Sequence, residues 1–136
     1  MRFLSALLIA GAVSSCSMAP PPDAMALSSQ DEARLAALTA GKVAGAPVAC
    51  LPRHRSNDMR TLDNGTVAFK VGSRVYINNM DGGCPNLRPP YALLTRQFGG
   101  AGLCRGDVAQ IVDPTNGVSV GSCVWGDFIP YTRAGA

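Results

Sequence analysis

Four cysteines, Cys50, Cys84, Cys104 and Cys123, are threaded through short apolar runs between Cys50 and Phe128, and they restrict the fold more than any other feature. The whole chain has 136 residues, enough for one domain. A folded unit confined to that stretch buries only about 60–65% of its unfolded surface, so its apolar core is marginal and covalent staples answer the shortfall. Zinc suits the pattern poorly. No two of these cysteines lie two to four residues apart, and the chain's one histidine, His54, follows Cys50 at four residues' distance. No metal ligand set and no cofactor site is expected. In an exported chain, four such cysteines predict two disulfides.

The runs between them read as strands. Val48 to Leu51 is short and apolar, and Pro52 stops it. Asp58 to Leu62 alternates weakly, and Asp63-Asn64-Gly65 is turn chemistry. Thr66 to Val71 is the clearest strand, with Val67, Phe69 and Val71 on one face. Gly72-Ser73 turns into Arg74 to Asn78. A two-residue loop would set Phe69 opposite Tyr76 and put Val75 and Ile77 on the face of Ala68 and Lys70. An odd loop would instead gather all the apolar residues on one side, and it is the expected register unless both faces of the hairpin are covered. Asn79 to Pro90 is loop, Tyr91 to Thr95 a strand, and Gly99 to Gly102 a loop before Leu103-Cys104. Val108 to Val112 and Val118 to Trp125 flank a turn at Pro114 to Gly117, and Asp127 to Ile129 finishes. Short strands at this spacing predict a mainly β fold, a small antiparallel barrel or sandwich stapled by two disulfides and preceded by one short helix.

The pairing of the cysteines can be narrowed. If Asp113 to Gly117 closes a hairpin, Cys123 faces about residue 107 or 108. Cys104 is then roughly 10 Å away at ~3.3 Å per residue, beyond the reach of a bridge. That removes Cys104–Cys123 and with it Cys50–Cys84. Of the two pairings left, Cys84–Cys104 with Cys50–Cys123 is preferred, since it clips the loop-rich span and ties the first strand to the last. Cys50–Cys104 with Cys84–Cys123 is the other.

Upstream, Met1-Arg2 and the apolar run Phe3 to Val13 form a signal h-region; eleven helical residues rise about 16 Å, too little to span a bilayer. Val13-Ser14-Ser15-Cys16 follows and resembles the bacterial lipobox. The resemblance implies cleavage before Cys16, a diacylglyceryl thioether on its sulfur and acylation of the new amino terminus, which together anchor stably in a membrane. Ser17 after the cysteine implies sorting to the outer membrane. The alternative is conventional cleavage after Ser17-Met18-Ala19, which discards Cys16 and leaves a soluble periplasmic protein. Ala19 to Asp23 carries a proline run that favours an extended spacer. Ser29-Gln30-Asp31-Glu32 reads as a capping box opening a short helix that Gly41 ends. With two leucines that helix has a weak apolar stripe and is expected to lie loosely, as a spacer. The expected partition is a signal over 1–15, lipidated cysteine and tether over 16–28, helix over 29–41, β domain over 48–129 and a tail over 130–136.

Cys50, Phe69 to Val71, Tyr76 to Asn78, Gly83 to Leu87, Leu103 to Asp107 and Cys123 to Phe128 together resemble an uncharacterised domain family of small exported Gram-negative bacterial proteins. The resemblance carries export and no assigned activity.

Candidate chemistry is sparse. His54, flanked by Arg53 and Arg55, is the one available base for a cysteine hydrolase, and the cysteines are better used as cystines. Asp81, Asp107 and Asp113 could pair as glycosidase carboxylates, yet each sits in or beside a turn, where Asp bonds its own backbone. Arg105-Gly106-Asp107 spells an adhesion tripeptide but reads as the start of a strand. Trp125, Tyr76, Tyr91 and Phe128 read as core rather than as a ligand-stacking face. The net charge of +3 comes from scattered basic residues, which argues against nucleic acid. The expected role is therefore a non-catalytic binding or scaffolding module, held through Cys16 on the periplasmic side of the outer membrane and contacting an envelope protein or cell-wall component. The alternative is a small cell-wall or glycan hydrolase.

Overall fold

The computed structural model describes residues 27–52, 58–96 and 102–135. One helix, α1 (Ser29–Thr39), leads into ten strands: β1 (Lys42–Ala44), β2 (Cys50–Leu51), β3 (Met59–Thr61), β4 (Thr66–Val71), β5 (Arg74–Asn79), β6 (Ala92–Thr95), β7 (Leu103–Cys104), β8 (Val108–Val112), β9 (Ser119–Val124) and β10 (Phe128–Arg133). Among the described residues all strand pairings are antiparallel. They make a five-stranded sheet in the order β1-β10-β5-β4-β3, a three-stranded sheet β6-β8-β9 and the pair β2-β7. The protein is mainly β, and the five-stranded sheet ends on β1 and β3 rather than closing into a barrel. The open sheets share one core, as in a sandwich.

That core is built on three rings. Phe69 from β4, Phe128 from β10 and Trp125 between β9 and β10 are fully buried. Their centroids lie 5.6 Å (Phe69–Trp125), 5.9 Å (Phe69–Phe128) and 6.1 Å (Trp125–Phe128) apart, within the range where aromatic pairs add about 0.5–1.5 kcal/mol beyond their burial. Val67, Tyr76, Leu87, Ala109 and Ile111 surround them, so both sheets and the loop after β5 converge on one cluster. Trp125, Tyr76 and Phe128 are core residues, and Tyr91 packs against them from the edge.

The β4–β5 hairpin takes the two-residue loop, with Val71 opposite Arg74 and Phe69 opposite Tyr76. The odd loop expected from burial is therefore wrong. The premise behind it, that one face meets water, fails: Ala68, Val75 and Ile77 on the second face are buried under Leu35 and Leu38 of α1 and Tyr131 of β10. With both faces covered, the tight turn leaves no apolar residue exposed, and Gly72 accepts the turn's φ of +62°. The helix is accordingly a roof over the hairpin and not a loose spacer.

The last strand also runs further than expected. Residues 130–133, read from sequence as the start of a tail, pair with β1 and β5 (Ala44 and Val75 both opposite Tyr131), so the folded unit includes them and the short strand after α1. Asn78, fully buried, donates through its amide to the carbonyls of Gly126 (2.7 Å) and Asp127 (3.1 Å) and fixes the corner that aims β10 back along β5. Only glycine fits that corner, because a Cβ on Gly126 would meet the Asn79 carbonyl oxygen at sub-contact distance.

The disulfides are Cys50–Cys104 and Cys84–Cys123, not the preferred Cys84–Cys104 with Cys50–Cys123. The elimination of Cys104–Cys123 holds, since Cys123 stands opposite Ala109 on β8. The choice between the remaining two rested on tying the first strand to the last, whereas β2 pairs with β7 and places Cys50 directly opposite Cys104. With sequence separations of 54 and 39, the two bridges each contribute about 4 kcal/mol in the chain-entropy account. Cys84 and Cys123 are in addition part of the core, at 1% and 6% exposure. Replacing Cys84 and Cys123 together by Ala should cost roughly 1 kcal/mol more than replacing Cys50 and Cys104, because a buried cystine leaves a packing defect and an exposed one does not. Urea unfolding of the two double variants measures the difference; a larger loss from the Cys50/Cys104 variant would contradict it.

A candidate functional site along the helix and the edge strand

The helix starts one residue earlier than its sequence suggests. Ser28 is the N-cap: its hydroxyl oxygen accepts from the Asp31 amide at 3.3 Å, and its carbonyl takes the Glu32 amide at 2.9 Å. The capping box expected at Ser29 and Glu32 is thus displaced to Ser28 and Asp31. A tertiary bond decides this. Asp31 is 6% exposed, and its Oδ2 accepts the backbone amide of Asp63 at 3.1 Å, joining α1 to the 3-10 turn Asp63–Gly65. Its Oδ1 accepts from Arg34 at 2.9 Å. A cap at Ser29 would turn Glu32 inward instead. At the other end Thr39 donates to the Leu35 carbonyl (2.9 Å) and Lys42 to the Leu38 carbonyl (3.0 Å), satisfying the last turn.

So fixed, α1 runs beside β3 and leaves a groove between them. Its middle, about 520 Å³, is walled by Arg34, Ala37 and Leu38 from the helix and Arg60, Thr61 and Leu62 from the strand side. Towards the helix N-terminus it opens into a polar cleft of about 430 Å³, reaching Asp63, Arg88 and Tyr91. Towards the other end it meets a recess of about 300 Å³ at Asp58, Arg60 and Lys70. β3 is an edge strand: among the described residues no strand pairs with its far side. The Leu62 amide bonds inward to Thr66 at 2.8 Å, so by the alternation of antiparallel ladders the amides of Thr61 and Met59 point outward. The groove therefore offers an apolar floor, outward-pointing backbone donors along one wall, and arginines at its rim.

Two carboxylates, Asp31 and Asp63, share the polar cleft. Asp63 is not set up as an acid. The Ser28 hydroxyl, by hydrogen bonding, holds the Asp63 carboxyl below its ordinary value of 3.8, with the Ser28 amide, Asp31 and the Arg34 charge adding to the effect. A glycosidase acid needs the opposite, a raised value. Both oxygens of Asp31 are already engaged.

The aspartates singled out from sequence hold turns. Asp107 Oδ2 accepts the Cys104 amide at 2.8 Å, closing the Arg105-Gly106 turn between β7 and β8. Arg105 itself bonds both oxygens of Asp127 at 3.1 Å, so the tripeptide is a structural corner. Asp113 accepts from Thr115 and Asn116, and the Thr115 hydroxyl chiefly lowers its pKa. Asp81 joins β9 through its backbone, donating to the Val124 carbonyl at 2.9 Å. Among the described residues no group of three or more His, Cys, Asp or Glu is gathered as metal ligands, and no helix is long and apolar enough to cross a membrane. The signal expected over 1–15, Cys16, residues up to 26 of the tether expected over 16–28, and His54 lie outside the described residues.

Comparison with known proteins found no matching family model, no curated relative and no similar solved structure.

Because the folded-state pKa of Asp63 lies below its unfolded value, its contribution is complete above that value and is lost as pH falls below 3.8. Asp63→Asn should flatten the acid limb of the pH–stability curve there; an unchanged slope would show that Asp63 is not the group responsible. Asp31→Ala, which keeps the backbone amide that Ser28 caps but removes the carboxylate's bonds to Arg34 and the Asp63 amide, should cost about 2 kcal/mol at neutral pH by denaturant unfolding.

Proposed function

We propose that this chain is an exported, lipid-anchored envelope protein, held by acylated Cys16 at the periplasmic side of the outer membrane, whose globule binds a partner and catalyses nothing. Three supports bear on it. The leader and Val13-Ser14-Ser15-Cys16 have the pattern of a lipoprotein signal. The motif likeness to small exported domains agrees with delivery to the envelope. The observation that carries the binding reading is the α1–β3 groove, where an edge strand with outward amides lies beside an apolar floor. Those are the requirements for receiving an extended stretch of another protein, which adds main-chain hydrogen bonds to the edge and seats alternate side chains beside it. Of the aspartates raised as glycosidase candidates, Asp107 and Asp113 meanwhile hold turns, the Asp31–Asp63 pair ties the helix start to the turn before β4, and the carboxyls of Asp63 and Asp113 are lowered in pKa by their hydrogen bonds. The hydrolase reading gains no support from them.

Purification of the lipidated protein from envelope extracts, beside an Ala37→Trp variant, tests the binding reading. Ala37 is exposed on the helix and lines the groove, so the indole should fill it without disturbing the core. A partner captured by the parent protein and lost from the variant supports the reading. Equal capture by both, or retention on purified cell wall alone, overturns it. For the anchor, Cys16→Ala should leave the protein in the soluble periplasmic fraction, because acyl chains on that residue are the strong membrane signal in the sequence. A variant that still partitions wholly with membranes would exclude lipidation at Cys16 as the cause.

A further inference from the structure

The two disulfides occupy different environments. Cys84 and Cys123 are sealed in the core, at 1% and 6% exposure, in the same buried cluster as Phe69, Trp125 and Ile111. Cys50 is exposed and Cys104 half-buried, and they face each other across a ladder only two residues long on each side. A nucleophile arriving from solvent can reach one bridge and not the other. What surrounds the reachable one matters as much. Leu51 and Leu103, the neighbouring cross-strand pair, are each 1% exposed and anchor both short strands in the core. The Arg105 amide donates to the Ala49 carbonyl at 2.7 Å, and Val48 exchanges two 2.9 Å backbone bonds with Phe128. The Cys104 amide is held by Asp107 at 2.8 Å. These restraints remain when the S–S bond is gone, and they keep the two sulfurs opposite one another.

We infer that Cys50–Cys104 is a reversible thiol–disulfide exchange site for a protein dithiol, while Cys84–Cys123 is the permanent structural staple. In the forward step a partner thiolate attacks the sulfur of Cys50, the more exposed residue of the two. The bond to Cys104 breaks, and its electron pair leaves on the Cys104 thiolate, which takes up a proton. The partner's second thiol then attacks the mixed disulfide, releasing Cys50 as a thiol and leaving the partner oxidised. Two electrons and two protons pass from the partner dithiol to this chain, and the reverse sequence restores the bridge. The inference does not depend on what the groove binds.

Titration of the full oxidised chain with dithiothreitol, followed by trapping with N-ethylmaleimide and peptide mapping, tests it. Cys50 and Cys104 should be trapped at about ten-fold lower reductant than Cys84 and Cys123, with the near-ultraviolet circular dichroism of the buried rings retained. Oxidised glutathione should then restore Cys50–Cys104 and no other pair. Simultaneous opening of both bridges, earlier opening of Cys84–Cys123, collapse of the ring signal on the first reduction, or scrambled re-pairing would each overturn the inference. A Cys50→Ala/Cys104→Ala variant separates burial from intrinsic reducibility. Its remaining bridge should stay closed at the reductant that opens Cys50–Cys104 in the parent, and ready reduction there would equally overturn it.

Discussion

Burial of both faces of the β4–β5 hairpin governs this fold. On one side Val67, Phe69 and Tyr76 enter the core with Trp125 and Phe128; on the other Ala68, Val75 and Ile77 lie under α1 and Tyr131. Each large side chain removed from water contributes about 1.5–3 kcal/mol, and a unit of this size has few of them to spare. Covering the second face recruits residues that a single-sided sheet would leave in water. It also fixes the register, because with neither face in solvent the tight Gly72-Ser73 turn carries no penalty.

Placing the roof requires a joint, and Asp31 supplies it. One buried carboxylate accepts from the Ser28 hydroxyl at the start of α1, meets Arg34 and reaches the Asp63 amide on the far side of the cleft. A buried carboxylate is tolerated only when such bonds replace its water. The same joint sets the distance between α1 and β3 and so shapes the groove. Stability and the candidate binding surface share that carboxylate.

The disulfides divide along the same lines as the packing. Cys84–Cys123 ties the loop after β5 to β9 inside the aromatic cluster, whereas Cys50–Cys104 ties two short strands at the surface. Both constrain the unfolded chain to a similar degree, since chain entropy depends on loop length and not on burial. They differ in what can reach them, a property of the folded state alone.

Much was legible in the sequence because it depends on local chemistry. Thr66 to Val71 alternates and is followed by a turn and a second apolar run; Asp113 and Asp107 sit in turn contexts and bond their own turns. The ring residues announced a core by their size, and the four cysteines, at spacings that suit no zinc site, pointed to two bridges in a small core. What failed depended on which distant segments meet. The partner of β2 is β7, which no periodicity records, and with it went the choice of disulfides. The hairpin register and the Ser28 cap were misread because each is settled by a residue from elsewhere in the fold, Leu35 and Leu38 in one case and the Asp63 amide in the other. The groove was invisible for the same reason: Ala37, Leu38, Thr61 and Leu62 are unremarkable singly, and only helix-on-sheet packing brings them together. Sequence by itself determined most of the elements and their turns, which are decided within a few residues. Tertiary structure alone decided register, cystine pairing and surface shape, because those are set by burial summed over the whole chain.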